Sequence, residues 1–512
     1  MLRTIRDYVD LQAAERPDAV YLIAPETGRS LTFGALQQAS RRLAAHLASC
    51  ANPGDRVALL MENGYQTCRL FVGTMYAGYC VTPLNLLAQT SQLEYVLEHS
   101  DAKIVFVSPD QHERLLLALK KVAREVRVEV VDVDAEEFIE AGAEKTGLDP
   151  VAEWDDALMM YTSGTTGKPK GVVLTNLSVI SGGQFVSEAH ALTPQDRVMA
   201  CLPLYHINAQ IVTATAPLVH GGSLVLPHRF GVSAYWSQVE QYGCTWVNMV
   251  PTMIAYLVNA AEQKEVTEDL SRVRFCRSAS APLPPSQHRA FEKKFGIGVI
   301  ETMGLTETAA PCFTNPLDPA QRKIGSPGRA FGNEAKIIDS DGKQLAAGEV
   351  GEIMISGANV MKCYYKSPEQ TAAAFSKNGW LHTGDLGYLD ADGFVFVTGR
   401  IKELIIKGGE NIAPREIDEA LLKHPAVLDA AAVGIEDPNY GQEIMACVVL
   451  KEGASCTVEE LRAFAEQELG RYKTPKIFHF LADLPRGPSG KVQRLKLLDV
   501  VPQAKSEAHA PA

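Results

Sequence analysis

Residues 159–176, MMYTSGTTGKPKGVVLTN, concentrate groups that hold anions. Ser163, Thr165 and Thr166 supply hydroxyls, and Lys168 and Lys170 bring positive charge. Gly164 and Gly167 let backbone N–H groups approach a ligand closely. A polyphosphate suits such a loop. The spacing excludes a P-loop of the G-x-x-x-x-G-K-[ST] type. Gly164 and Gly167 are only three residues apart, and Lys168 is followed by Pro169 rather than by a hydroxyl that would meet Mg²⁺. Standing alone, the same residues suit a Ser/Thr/Gly-rich surface hairpin equally well.

More groups with chemical potential follow along the chain. They are His206 in LPLYH (202–206), the hydroxyl-rich RSASAP (277–282), ETMGLTE (301–307), TGD (383–385), GRIKE (399–403), KGGENI (407–412) and PRGPSGK (485–491). Taken singly, each has an ordinary structural reading. An Asp in TGD caps a turn, a Lys in PSGK is a solvated loop tip, and an Arg after Gly joins a surface ion pair.

The elements that must position these groups are readable from hydrophobic pattern. Short apolar runs at 56–61, 102–107, 127–133, 245–250 and 273–276 read as buried strands. Between them lie helical patterns such as 31–48, with Leu36, Ala39, Leu43, Ala44 and Leu47 on one face. That alternation predicts an α/β architecture. After about residue 325 the turn pairs Asp341-Gly342, Asn378-Gly379 and Asp392-Gly393 separate short strand-like pieces at 335–338, 351–355 and 394–397, which predicts hairpins. Past residue 400 a smaller α+β pattern appears. One helix there has Pro414 in its first turn, and another starts at a Thr457/Glu460 capping box.

The bulk numbers narrow the class. The 512 residues are enough for two to four domains, and 46% hydrophobic with 21% charged residues is ordinary for a soluble globular protein. The formal charge of −12 and the lack of an Arg/Lys-rich stripe argue against a nucleic-acid partner. Neither a signal-peptide core nor an apolar stretch long enough for a membrane span is present, so a cytoplasmic protein without membrane partner is expected. The 10 cysteines show no CxxC spacing and read as buried small hydrophobes in a reducing compartment.

The stretch YTSGTTGKPKGVVLTN closely resembles the phosphate-binding loop of the adenylate-forming superfamily, which includes acyl-CoA synthetases, the adenylation domains of peptide synthetases and firefly luciferase. The other motifs resemble that family's in the same order between residues 161 and 491. The resemblance implies α/β fold class: a large N-terminal domain of α/β sheets with a β-rich subdomain (1–401), and a smaller, mobile α+β C-terminal domain (402–512), hinged at Lys402. It implies an AMP-forming acid–thiol ligase that uses ATP, Mg²⁺ and coenzyme A. In that scheme Thr162, Ser163, Gly164, Thr165, Thr166, Gly167 and Lys168 grip the outgoing phosphates. Ala281, Glu301, Thr302, Met303 and Thr306 serve the adenylate, and Asp385 with Arg400 the ribose. Glu307 and Thr165 hold the metal, Gly408 and Gly409 line the route of the pantetheine thiol, and Lys491 is the catalytic lysine of the adenylation step. His206, Ser278 and Ser280 face the acid. Met303 departs from the family, which usually has an aromatic there.

The acid is less sharply specified. RSASAP and the run from Tyr235-Trp236 through Thr245-Trp246 to Pro251-Thr252 resemble oxalate–CoA ligases more than fatty-acid ligases. A small polar or anionic acid of the sulfoacetate, oxalate or malonate type is expected, with His228 and Arg229 as further candidates for a second anion. Alternatives are a medium-chain fatty, aryl or carnitine-type acid, or an adenylation enzyme that loads a carrier protein. Free CoA is the simpler acceptor, since no carrier domain is present, and either a monomer or a homodimer is compatible.

Overall fold

A computed structural model describes residues 2–137, 147–162, 168–487 and 492–500. Contacts divide the chain into two compact units. The first runs to Leu283 and includes Gln287–Ala335 and Ile355–His382; the second holds Pro284–Ser286, Lys336–Met354 and the chain from Thr383 onward.

The first unit carries two large sheets. In the seven-stranded one, Asp156–Thr162, Cys80–Pro83, Arg56–Leu60, Ile104–Val107 and Arg127–Val130 are neighbours in that order and run parallel. The predicted strands at 56–61, 102–107 and 127–133 are therefore present, each slightly shorter. Lys170–Thr175 adds antiparallel to Asp156–Thr162. In the nine-stranded sheet a parallel core runs Val20–Ala24, Ser223–Val225, Arg197–Met199, Trp246–Met249, Phe275–Ser278, Val299–Leu305. Central strands such as Trp246–Met249 and Phe275–Ser278 are buried along their whole length, which is why they read as unbroken apolar runs rather than alternating ones.

Helix Phe33–Ala48 matches the predicted pattern, with Leu36, Ala39, Leu43, Ala44 and Leu47 buried. It starts two residues later than its apolar period suggests. Leu31 belongs to the strand Arg29–Thr32, and the Thr32 side chain caps the helix by accepting from the Ala35 N–H.

The second unit contains most of a four-stranded sheet, ordered Glu334–Ile338, Gly351–Ser356, Leu381–Leu389, Val395–Arg400. The predicted turn glycines are all at positive φ: Gly342 at 81°, Gly379 at 78° and Gly393 at 79°. Further on, Val427–Asp437 and Gly441–Leu450 form a long antiparallel pair. Pro414–Leu421 and Val458–Lys473 are the two predicted helices, the second opened by the Thr457/Glu460 capping box.

Candidate active site

In the first unit, the glycine-rich loop joins two paired strands. Thr162 lies opposite Lys170 at its base. The base is framed by aromatic rings: the Tyr161 hydroxyl and His99 Nδ1 are 2.8 Å apart, and Lys168 Nζ lies 5.6 Å from the centre of the Tyr95 ring. Lys170 Nζ lies 4.7 Å from the Tyr364 ring. Ser163, Gly164, Thr165, Thr166 and Gly167 fall outside the described residues, as does Lys491.

The adenine-motif segment is braced and strained. Strand Val299–Leu305 meets Ala310–Thr314 through a register shift at Met303/Gly304. A Cβ on Gly304 would fall 1.7 Å from the Ala310 carbonyl oxygen, so glycine is required there. The short 3₁₀ turn Thr306–Thr308 follows, and Ala309 and Ala310 then take φ of 45° and 72°, unusual for residues with a side chain. Asn359, fully buried, holds this turn by donating to the carbonyls of Thr308 at 2.9 Å and Pro311 at 3.1 Å. Glu307 Oε1 accepts from the Tyr364 hydroxyl at 2.9 Å, and burial together with that carboxylate pushes the phenol's pKa up. Met303 lies opposite Phe313 in the register.

The acid-side candidates come from neighbouring strands. Ser278 ends the strand Phe275–Ser278 opposite Glu301 of the next strand. Its backbone carbonyl accepts from the Thr302 hydroxyl at 3.4 Å, and its own hydroxyl is fully buried without a hydrogen-bond partner among the described residues. Glu301 Oε1 accepts from the Leu283 N–H at 3.1 Å and so anchors the loop that carries Ser280 and Ala281. Ser280 sits in that loop at φ 72°, and its hydroxyl accepts from Asn208 Nδ2 at 3.1 Å. Asn208 opens the π-helical stretch Asn208–Thr215, an uncommon geometry that recurs at functional sites. His206 is half-buried two residues earlier, with its ring 5.4 Å from that of Tyr205.

Sequence reasoning gave no role to Arg277. Arg277 is 2% exposed, and its Nη1 donates to Asn208 Oδ1 and Asn248 Oδ1, both at 3.1 Å. Burial lowers its pKa to about 9, so it remains a cation at neutral pH. Asn248, on the neighbouring strand Trp246–Met249, is the residue that turns to Arg277. Trp246 instead stacks on Phe275, with ring centres 5.6 Å apart, in the core. His228 is drawn elsewhere: its Nε2 lies 3.1 Å from Asp134 Oδ1, and its backbone N–H donates to Glu26 at 2.8 Å. These contacts hold His228 to acidic partners.

In the second unit, Asp385 Oδ1 pairs with Arg400 Nε at 2.7 Å, across register partners of antiparallel strands. The Thr383 hydroxyl accepts from the Asp385 N–H and donates to the Ile353 carbonyl, fixing the turn. Lys402 is exposed on the 3₁₀ turn Ile401–Glu403. Gly408 and Gly409, at φ 56° and 86°, are the two central residues of a tight hairpin between Ile405–Lys407 and Glu410–Ile412. Their type follows from that turn, which needs positive φ at both positions. A narrow passage is not required to explain them.

A family model described as AMP-binding enzyme matches residues 9–365, and one described as AMP-binding enzyme C-terminal domain matches 416–491. The chain belongs to the AMP-binding enzyme family. Within the family it is 55% identical to a sulfoacetate–CoA ligase of Cupriavidus necator, over 97% of each chain. It is 34% identical to an oxalate–CoA ligase of Arabidopsis thaliana, covering 91% of this chain and 92% of the other. Among solved structures, the ATP-bound MatB of Rhodopseudomonas palustris superposes with a TM-score of 0.89 at 29% identity, over 97% of this chain and 99% of that one. The α/β architecture expected from the sequence holds.

Proposed function

We propose that the chain is an ATP-dependent acid–CoA ligase whose acid is a small carboxylate bearing a second anionic group, of the sulfoacetate type. The observation that carries the reading is the 55% identity with a sulfoacetate–CoA ligase along nearly the whole of both chains. The polar, hydroxyl-bearing Ser278 and Ser280 support it, since a fatty or aryl acid would call for an apolar lining.

A carboxylate is a poor electrophile. Its oxygen attacks the α-phosphorus of ATP, pyrophosphate leaves, and the acyl adenylate that results carries AMP as a good leaving group. The CoA thiol then displaces AMP to give the thioester. Residues 162–168 are assigned to the departing phosphates, and Asp385 with Arg400 to the ribose. Lys491 is assigned to the charge that builds up between carboxylate and phosphate. Glu307 is a hard oxygen donor already steadied by Tyr364, which fits Mg²⁺. Together with Thr165 it would hold the ion, which neutralises phosphate charge when bound.

The test is AMP release with CoA across sulfoacetate, oxalate, malonate, acetate, benzoate, octanoate and carnitine. The expected outcome is the highest kcat/KM on sulfoacetate or another small dianion. Best turnover on octanoate or benzoate overturns the acid assignment. Pyrophosphate exchange without a CoA product on any acid points to a carrier protein as acceptor.

A further inference from the structure

A buried guanidinium normally meets a carboxylate, because desolvating an unpaired charge is costly. Arg277 breaks that pattern. Among the described residues no carboxylate pairs with it, and its Nε is buried without a hydrogen-bond partner. Its two acceptors, Asn208 Oδ1 and Asn248 Oδ1, are neutral. They are also locked to each other, since Asn248 Nδ2 donates to Asn208 Oδ1 at 3.2 Å. Asn208 Nδ2 is then committed to the Ser280 hydroxyl. These bonds orient the guanidinium without neutralising it. The local field is correspondingly positive: burial, then the charge of Arg277, hold the nearby His190 down at about 3, so this imidazole adds no countercharge and no cation at neutral pH.

The cation adjoins the segment assigned to the acid. Arg277 directly precedes Ser278, whose hydroxyl is likewise buried and unpartnered among the described residues, and is bridged through Asn208 to Ser280. A buried cation without a countercharge, beside two hydroxyls, is complementary to an anion that arrives with the substrate.

We propose that Arg277, oriented by Asn208 and Asn248, anchors the second anionic group of the acid, with Ser278 and Ser280 beside it as hydroxyl donors. The inference rests on the acid being a small dianion, as proposed above. It makes Arg277 a specificity-determining residue. The carboxylate to be activated stays at the adenylate, while the sulfonate or distal carboxylate supplies the charge that the protein withholds.

Two variants test it through the ratio of kcat/KM on sulfoacetate to that on propionate. Arg277→Met removes the cation and should lower the ratio about 10- to 100-fold, the scale of a hydrogen-bonded charge. Asn248→Asp keeps the shape and places a carboxylate against Arg277 inside the protein. It loses the bond from Asn248 Nδ2 to Asn208, which the new pairing with Arg277 offsets, so it should still fold, and it should also lower the ratio, because the internal anion now occupies the guanidinium. A ratio unchanged in folded Asn248→Asp, or proportionate loss on both acids in folded Arg277→Met, overturns the proposal and leaves Arg277 a scaffold residue. If the wild type turns over no dianion but does turn over another acid, the dianion reading itself falls, and this proposal with it.

Discussion

Chemistry at the residue scale turns on how burial sets charge. His190 packs edge-on against Phe275 and Trp246, with ring centres 5.1 and 6.4 Å away. Both its ring nitrogens are buried and without hydrogen-bond partners among the described residues. Burial, the positive charge of Arg277 and more weakly that of Arg322 and Arg274 lower its pKa to about 3. An unfolded histidine titrates near ~6.5. Between those values the unfolded chain binds a proton that the folded one refuses, so stability falls as the pH drops from neutral toward 3. His220, lowered to about 4 by burial, acts in the same direction. Replacing the imidazole with a ring that cannot be protonated should remove part of this slope. The urea midpoint of His190→Phe is expected to fall less than that of the wild type between pH 7 and pH 5. Parallel shifts in both proteins would mean that other groups carry the acid sensitivity.

Elements decide which of these residues meet, and here the sequence was legible to different depths. The motif hairpins are local, so Thr162 opposite Lys170 and the Gly408-Gly409 turn follow from contiguous residues. The cluster around Arg277 is not local. Asn208 and Asn248 lie 69 and 29 residues away from it, and nothing in RSASAP announces that its arginine is buried without a carboxylate. The pairing of Val20–Ala24 with Ser223–Val225 is hidden for the same reason, since parallel neighbours are joined by long crossovers and leave no turn signal. The Gly408-Gly409 hairpin is held from below by such a distant contact. Lys407 Nζ pairs with Glu443 Oε1 at 2.6 Å, each side chain only 7% exposed, and also donates to the Tyr472 carbonyl at 2.9 Å. The Tyr472 hydroxyl returns a bond to the Lys407 carbonyl at 2.6 Å. Removing one partner of a buried pair costs about 3–5 kcal/mol, because the other charge is stranded. Glu443→Gln should fall near the lower end, about 3 kcal/mol, since the tyrosine carbonyl still accepts from the lysine. Chemical denaturation should show the loss in the transition that reports the second unit. A change below about 1 kcal/mol, the scale of an exposed pair, would show that the hairpin does not depend on it.

At the scale of the whole molecule, two half-reactions have to run on one chain. The residues assigned to the acid, the pyrophosphate and the metal fall within 9–365, the stretch matched by the AMP-binding family. Lys491 is the last residue of the separate C-terminal match, 416–491. The two steps differ in where charge accumulates. During adenylation a carboxylate oxygen approaches a phosphate already bearing negative charge, and a lysine ammonium at that point stabilises the transition state directly. During thioester formation pyrophosphate has gone, the electrophile is a neutral acyl carbon, and the leaving group is AMP. A cation positioned for the first step has no comparable demand in the second. Lys491→Ala should therefore lower acid-dependent pyrophosphate exchange by about 10²–10³-fold, the usual effect of removing one electrostatic stabiliser. Thioester formation from supplied acyl adenylate and CoA should stay within a few-fold of wild type. The comparison is internal to one protein preparation, so a folding defect would depress both rates together. Equal loss in both half-reactions, with unfolding excluded by an unchanged melting temperature, would mean that Lys491 serves the shared adenylate rather than the first step alone.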